Sequence, residues 1–241
     1  MGTHRPRAAA EASFRLTEIG SRRSDLYGRR TGRPLSGHQE SLIRTLLPRI
    51  EVPLGEIDLQ KLFPAARAFA FEVGFGGGEH LAAQALAQPE VGFIGCEPFL
   101  NGMAKLLVQL DASAIQNVRV HMDDARDVLV RLPDRSLSSV YVLFPDPWPK
   151  LRHHKRRFIQ RQTLDVLARV LKPGAEFRLA TDHMDYARWA LGHLMQDTRF
   201  HWRATNALDW RVRPEGWPQT RYEQKALRAG RSCVYLRFVR T

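Results

Sequence analysis

The stretch "AFAFEVGFGGGEHLAAQALAQ", residues 68–88, decides the fold. Its first eight residues, 68–75, form a near-continuous apolar run, the pattern of a strand covered on both faces. Gly74, Gly76 and Gly78 stand where that run ends, and residues 78–88 resume with helical spacing. Strand, glycine turn and helix together open a βαβ unit. Glycine is needed at such a turn because the backbone bends sharply and must approach a ligand closely. The spacing here is G-x-G-x-G, not the G-x-G-x-x-G of dinucleotide sites, and a packing turn fits the glycines as well as a ligand turn does.

Working downstream, the alternation continues. "VGFIGCEP" (91–98), "NVRVHMDD" (117–124), "SSVYVLFPD" (138–146) and "EFRLATD" (176–182) read as strands. "GMAKLLVQL" (102–110), "ARDVLVRL" (125–132), "KRRFIQRQTLDVLARVL" (155–171) and "MDYARWALGHLMQ" (184–196) read as helices, the third stopped by Pro173 and Gly174. "SCVYLRFV" (232–239) is a late strand, and residues 199–231 are expected to contain a substantial loop beside the site. Apolar strands alternating with helices predict an α/β fold with a mostly parallel, doubly wound sheet. Upstream, "HQESLIRTLLPRI" (38–50) has helical spacing and predicts a helix ending near Pro48. Residues 1–37 lack apolar periodicity and are expected to form a basic, flexible arm, leaving 38–241 as one domain.

Composition narrows the class. The chain has 241 residues, 44% of them hydrophobic, enough for one sizeable core. Its two cysteines, Cys96 and Cys233, make no disulfide framework and lack the partners of a zinc site, so buried thiols are expected and no metal. No 18-residue apolar run or signal-peptide core is present, which reads as a cytoplasmic protein without membrane contact. The net charge of +12 is segregated. Residues 1–37 carry +5, 144–161 carry +5 and 211–241 carry +6, leaving the remainder at −4. Three basic blocks around an acidic centre point to a polyanionic partner. The oligomeric state is left open between monomer and homodimer.

The acids sit at the ends of predicted strands. Glu72 precedes the glycines, Glu97 ends the second strand and Asp124 the third. In an open parallel sheet those ends form the ligand edge. An acid about 25 residues beyond Glu72 can accept from ribose hydroxyls, Asp124 from an adenine amino group, and Glu72 can orient a charged end of the ligand. Each acid alone could also cap a helix. Carboxylates repel phosphate, and no Lys or Arg occurs in residues 68–104. The set therefore favours a cationic adenosine cofactor, S-adenosylmethionine, over NAD.

Residues 144–157, "FPDPWPKLRHHKRR", place one carboxylate, Asp146, between two prolines and beside Trp148. Lys150, Arg152, Lys155, Arg156 and Arg157 follow. Trp148 suits core packing or base stacking, and His153 and His154 belong with the basic patch. Asp182, ending the fifth strand, caps the next helix or joins the site.

With "FEVGFGGGEHL", "GCEPFLNGMAKLL", "NVRVHMDDARDVL", "LKPGAEFRLATDHMDYA" and "WPQTRYEQKALRAGR", this string resembles, in order, the bacterial tRNA (guanine-N7-)-methyltransferases. The likeness runs from about residue 26 to 240. It implies a class I, Rossmann-like S-adenosylmethionine-dependent methyltransferase fold, methylation of guanine N7 in tRNA, and the variable-loop guanine as target. It also implies Glu72, Glu97, Asp124 and Asp146 as cofactor-binding acids, with Asp146 catalytic. Lys150, Asp182 and the run Thr220, Arg221, Tyr222 and Glu223 would contact the target nucleotide, and Arg152 to Arg157 would hold tRNA. The family often carries Lys and Phe where this chain has Arg221 and Tyr222.

Guanine N7 bears a lone pair and no proton, so attack on a sulfonium methyl needs no general base. It needs in-line alignment and an acceptor for charge arriving on the purine. Asp146 is expected to supply that acceptor and to receive the donors of guanine's Watson–Crick edge. The basic run would grip the backbone.

Overall fold

The computed structural model describes Gly28 and residues 30–241. The expectation of an arm falls mostly on residues outside this range. Among the described residues, those from 30 to 33 lie against the body: Leu100 N donates to Arg30 O at 2.9 Å and Asn101 Nδ2 to Arg33 O at 2.7 Å.

Seven strands form one sheet: β1 (Ala68–Val73), β2 (Val91–Cys96), β3 (Val118–His121), β4 (Leu137–Leu143), β5 (Leu171–Thr181), β6 (Phe200–Trp202) and β7 (Val234–Arg240). Their order is β3-β2-β1-β4-β5-β7-β6. β1 to β5 are mutually parallel, whereas β7 runs antiparallel to β5 and β6 antiparallel to β7. β2 is buried along its whole length, as a central parallel strand must be.

The helices are α1 (Gly37–Thr45), α2 (Leu47–Ile50), α3 (Leu59–Leu62), α4 (Glu79–Ala87), α5 (Leu100–Ala112), α6 (Ala125–Leu129), α7 (Arg161–Val170), α8 (Met184–Gln196), α9 (Leu208–Arg211) and α10 (Arg221–Arg228). Two apolar layers flank the sheet. One joins Leu59, Val128, Leu167 and Tyr186 of α3, α6, α7 and α8 to Phe71, Val140 and Phe177. The other joins Leu42, Leu81, Leu106 and Ala226 of α1, α4, α5 and α10 to Ala70, Phe93 and Tyr141. Cys96 and Cys233 are free, buried thiols. Among the described residues no helix is long and apolar enough to cross a membrane.

Two expectations change. Pro48 does not end a helix but sits in the first turn of α2, where its missing N–H costs nothing. Residues 199–231 contain the expected loop, in 203–207 and 212–220, and between its parts hold β6, α9 and α10, which were not foreseen; β6 pairs with distant β7. The helix expected from residue 155 begins at Arg161. Leu151–Arg156 is instead a 3₁₀ segment, and Arg157 is extended (φ −59°, ψ 139°). Gln160 and Thr163 close a capping box that starts α7. Pro173 and Gly174 stand in β5, beyond the end of α7.

Candidate active site

The parallel register sets one edge. Val73 pairs with Cys96 and with Val142, Cys96 with His121, and Leu143 with Ala180. The carboxyl ends of β1 to β5 are therefore neighbours, and the chain order reverses between β1 and β4. An open α/β sheet forms its ligand crevice at such a switch point. A cleft of about 390 Å³ lies there, lined among others by Gly74, Gly76, Glu97, Asp124, Asp146, Arg156 and Tyr222.

All three glycines of the first turn have positive φ, 63° at Gly74, 59° at Gly76 and 82° at Gly78. A Cβ on Gly76 would stand 2.8 Å from Cε2 of the Tyr222 ring, so the turn also seats α10. Gly78 caps α4 and packs on Leu106, away from the cleft lining. Gly102 of α5 lies so close to the Gly76 carbonyl that no side chain would fit.

Glu97 holds this turn. Its Oε2 accepts from Gly76 N at 2.7 Å and its Oε1 from Phe99 N at 2.9 Å. Burial, foremost, together with the charges of Asp146 and Glu72, pushes its carboxyl up to about 7 against the pull of those two N–H donors. Glu72 lies deeper and does not line the cleft: its Oε2 is 2.7 Å from His80 Nδ1, and both side chains are almost wholly buried. The His80 ring meets Tyr141 edge-on at 4.8 Å. Asp124 caps α6, accepting from Arg126 N at 2.9 Å, and pairs with the Arg126 guanidinium, yet still lines the cleft. Cap and cleft wall are one residue here.

Asp146 stands at the cleft mouth, open to solvent on one side. Among the described residues its carboxylate has no hydrogen-bond or ion-pair partner. Burial against the cleft walls raises its carboxyl above the usual carboxylate range. The turn that presents it is strained. Phe144 and Trp148, two bulky residues each followed by proline, have φ of 51° and 43°. Such conformations cost about 1–3 kcal/mol each and cluster at functional sites.

The basic run divides. Lys150, Arg152 and Lys155 are exposed beside the mouth, and Arg156 lines it. Arg157 does not belong with them, which corrects the expectation that it faces phosphate. It is 1% exposed, its Nε donates to Pro147 O at 2.9 Å, and it pairs with Asp185. Its guanidinium also lies 5.0 Å from the Trp189 ring centre. It clamps the Asp146 turn to α8 from inside.

The Thr220–Glu223 run is split likewise. Thr220 is the N-cap of α10, and Glu223 is buried, accepting from Tyr235 Oη at 2.5 Å and pairing with Arg213 at 3.2 Å. Tyr222 reaches the cleft, and the exposed Arg221 guanidinium lies 5.8 Å from its ring centre. Asp182 pairs with Arg231 at 2.7 Å and does not line the cleft. Sequence reasoning missed His80, Phe99, Gly102, Asp123 and Arg126. Only His80 carried a signal, since it lies eight residues after Glu72 on the first turn of the adjoining helix.

The sheet order, the glycine turn and the acid-lined edge define a class I methyltransferase. Residues 66–236 match a family model described as "Putative methyltransferase". The fold is similar to that of the 16S rRNA methyltransferase KamB (TM-score 0.57, 16% identity, 78% of this chain and 96% of that one). It is also similar to that of a 16S rRNA (adenine(1408)-N(1))-methyltransferase from Catenulisporales acidiphilia (TM-score 0.50, 18% identity, 80% and 97%). At higher similarity stand proteins named tRNA (guanine-N(7)-)-methyltransferase. That of Brucella anthropi is 49% identical over 90% of this chain and 94% of its own. That of Sphingopyxis alaskensis is 50% identical over 89% and 94%, and that of Nitrobacter winogradskyi 46% identical over 98% and 94%. The chain belongs to the tRNA (guanine-N7-)-methyltransferase family and is an S-adenosylmethionine-dependent enzyme.

The residues present fit that methyl donor. The positive charge of its sulfonium and ammonium groups suits a cleft with Glu97, Asp123, Asp124 and Asp146 in its walls, and Phe99 and Phe144 offer apolar faces. The volume falls within the range of small-molecule sites.

Proposed function

We propose that the enzyme transfers a methyl group to N7 of a guanine in tRNA, the variable-loop guanine, in the cytoplasm. One observation carries this reading: the Asp146 carboxylate, unpartnered among the described residues, stands at the mouth of an acid-lined cleft and directly before the exposed cations Lys150, Arg152 and Lys155. An acid that recognises a base and cations that grip phosphate are thereby adjacent.

S-adenosylmethionine, when bound, supplies an electrophilic methyl group. Gly74 and Gly76 would let it lie against the backbone, while Glu97 and Asp124 hold its ribose and adenine ends. Glu72, anchored by His80, supplies negative potential from beneath. Asp146 aligns the purine edge and stabilises the positive charge arriving on the ring, the kind of preorganised interaction that strengthens in the transition state. Arg156 and the exposed cations bind backbone phosphate. Tyr222 and Arg221 border the base from α10. Asp182, Thr220 and Glu223 support this border, since each is engaged with protein groups.

The test is incubation with methyl-labelled S-adenosylmethionine and unmodified tRNA, then mapping of the modified nucleotide. Label in 7-methylguanosine in the variable loop is expected. Label at another position, or none, overturns the reading.

A further inference from the structure

We infer that Trp148 is the face on which the target guanine stacks, so that the indole stabilises the purine as it becomes a cation. This rests on the proposed function and deepens it.

Trp148 stands apart from the other tryptophans. Trp217 is a core residue, and Trp189, Trp202 and Trp210 pack against the core, whereas among the described residues Trp148 is in neither apolar layer. It lines the cleft two residues after Asp146. Its backbone takes the left-handed conformation, φ 43°, which a bulky side chain adopts only when the surroundings enforce it. Arg157 enforces it from within by binding the Pro147 carbonyl. The molecule thus spends free energy to keep an indole out of the core and at the site.

What the ring already receives shows its chemistry. The Arg156 guanidinium lies 5.1 Å from the indole centre, and His153 meets the ring edge-on at 5.9 Å. A guanidinium is a planar, delocalised cation. A guanine methylated at N7 is another, because N7 gives its lone pair to the new carbon bond and the positive charge leaves sulfur for the ring. Indole is the most favourable side chain for a cation over its face. The attraction grows as the charge develops, so it lowers the barrier rather than merely tightening binding. Arg156 therefore occupies the face before the base does. The same residue can turn to the phosphates that accompany the base.

The experiment compares Trp148→Phe and Trp148→Leu with wild type. Single-turnover methyl transfer is measured at saturating donor and tRNA. Calorimetry gives the affinity for S-adenosylhomocysteine. Filter binding, with that product present, gives the affinities for unmodified and N7-methylated tRNA. The expected result is a rate about tenfold lower for the Leu variant and within about threefold for the Phe variant. Nucleoside affinity is unchanged in both. Wild type prefers methylated tRNA and the Leu variant has lost that preference, which a structural role would not affect. A Leu variant with wild-type rate and preference overturns the inference. So does parallel loss of rate, nucleoside affinity and melting temperature in both variants, which would mark Trp148 as structural. If wild type forms no 7-methylguanosine, the proposed function fails as well. If it forms the product while the Leu variant matches it, only this inference fails.

Discussion

Replacing Arg157 with alanine separates the two kinds of cation in the basic run. The side chain is fully buried, and its Nε bonds the Pro147 carbonyl at 2.9 Å. Losing a charge-assisted bond of that kind, with the carbonyl left inside, costs about 1.5–3 kcal/mol. The pair with half-exposed Asp185 adds no more than about 1 kcal/mol, because Asp185 regains water. The ring contacts, 5.0 Å to Trp189 and 5.7 Å to Tyr186, add about 1 kcal/mol. A total near 3–4 kcal/mol in a chain of this size lowers the melting temperature by roughly 10 °C. Because the missing bond anchors the Asp146 turn, the single-turnover rate also falls, while the salt dependence of tRNA binding keeps its slope. The Arg152→Ala, Lys155→Ala double variant should do the opposite. Its melting temperature holds, the tRNA KM rises, and the log–log salt slope flattens by about one for each phosphate no longer neutralised. Scanning calorimetry and binding from low to high salt read both. If Arg157→Ala melts within about 2 °C of wild type and flattens the salt slope, Arg157 binds phosphate and the clamp is wrong.

His80→Leu removes the donor to the buried Glu72 carboxylate. A charge left unpaired there reduces cofactor affinity by about tenfold or more, with His80→Gln recovering part of it, as titration calorimetry would show. Glu97 gives a pH dependence whose sign is fixed. Its carboxyl is raised to about 7 in the free protein, so the folded state holds more protons than the unfolded state between the ordinary carboxylate range and 7. Its contribution to stability therefore declines as pH rises through that window. A cationic ligand favours the ionised form, so donor affinity should rise from pH 6 to pH 8 with proton release. Glu97→Gln should flatten that rise; an unchanged profile would place the titration elsewhere.

The fold was legible because its signal is local and repeated. Each apolar run from 68 to 181 is bounded by turn residues, and α8 runs over Met184–Gln196, the bounds read from its spacing. What was not legible depends on distant partners. β6 has three residues and exists because β7 pairs with it. Nothing in "KRRF" tells Arg157 from Arg156, since the groups that draw one inward, Asp185, Pro147, Tyr186 and Trp189, lie outside that run. The acids at strand ends could be placed on one edge from topology alone. That Glu72 lies beneath the cleft on His80, and that Asp124 both caps a helix and faces the cleft, required the side-chain geometry. Likewise "TRYE" reads as four equivalent contacts until Glu223 is seen bonded to Tyr235, leaving Tyr222 at the cleft.

The central claim is that Asp146 stabilises charge on an attacking purine held beside an acid-bound methyl donor. Single-turnover transfer to unmodified tRNA by Asp146→Asn, at saturating tRNA and donor, tests it most directly. The account predicts a rate lower by about 100-fold or more with tRNA still bound. Transfer at the wild-type rate would contradict it.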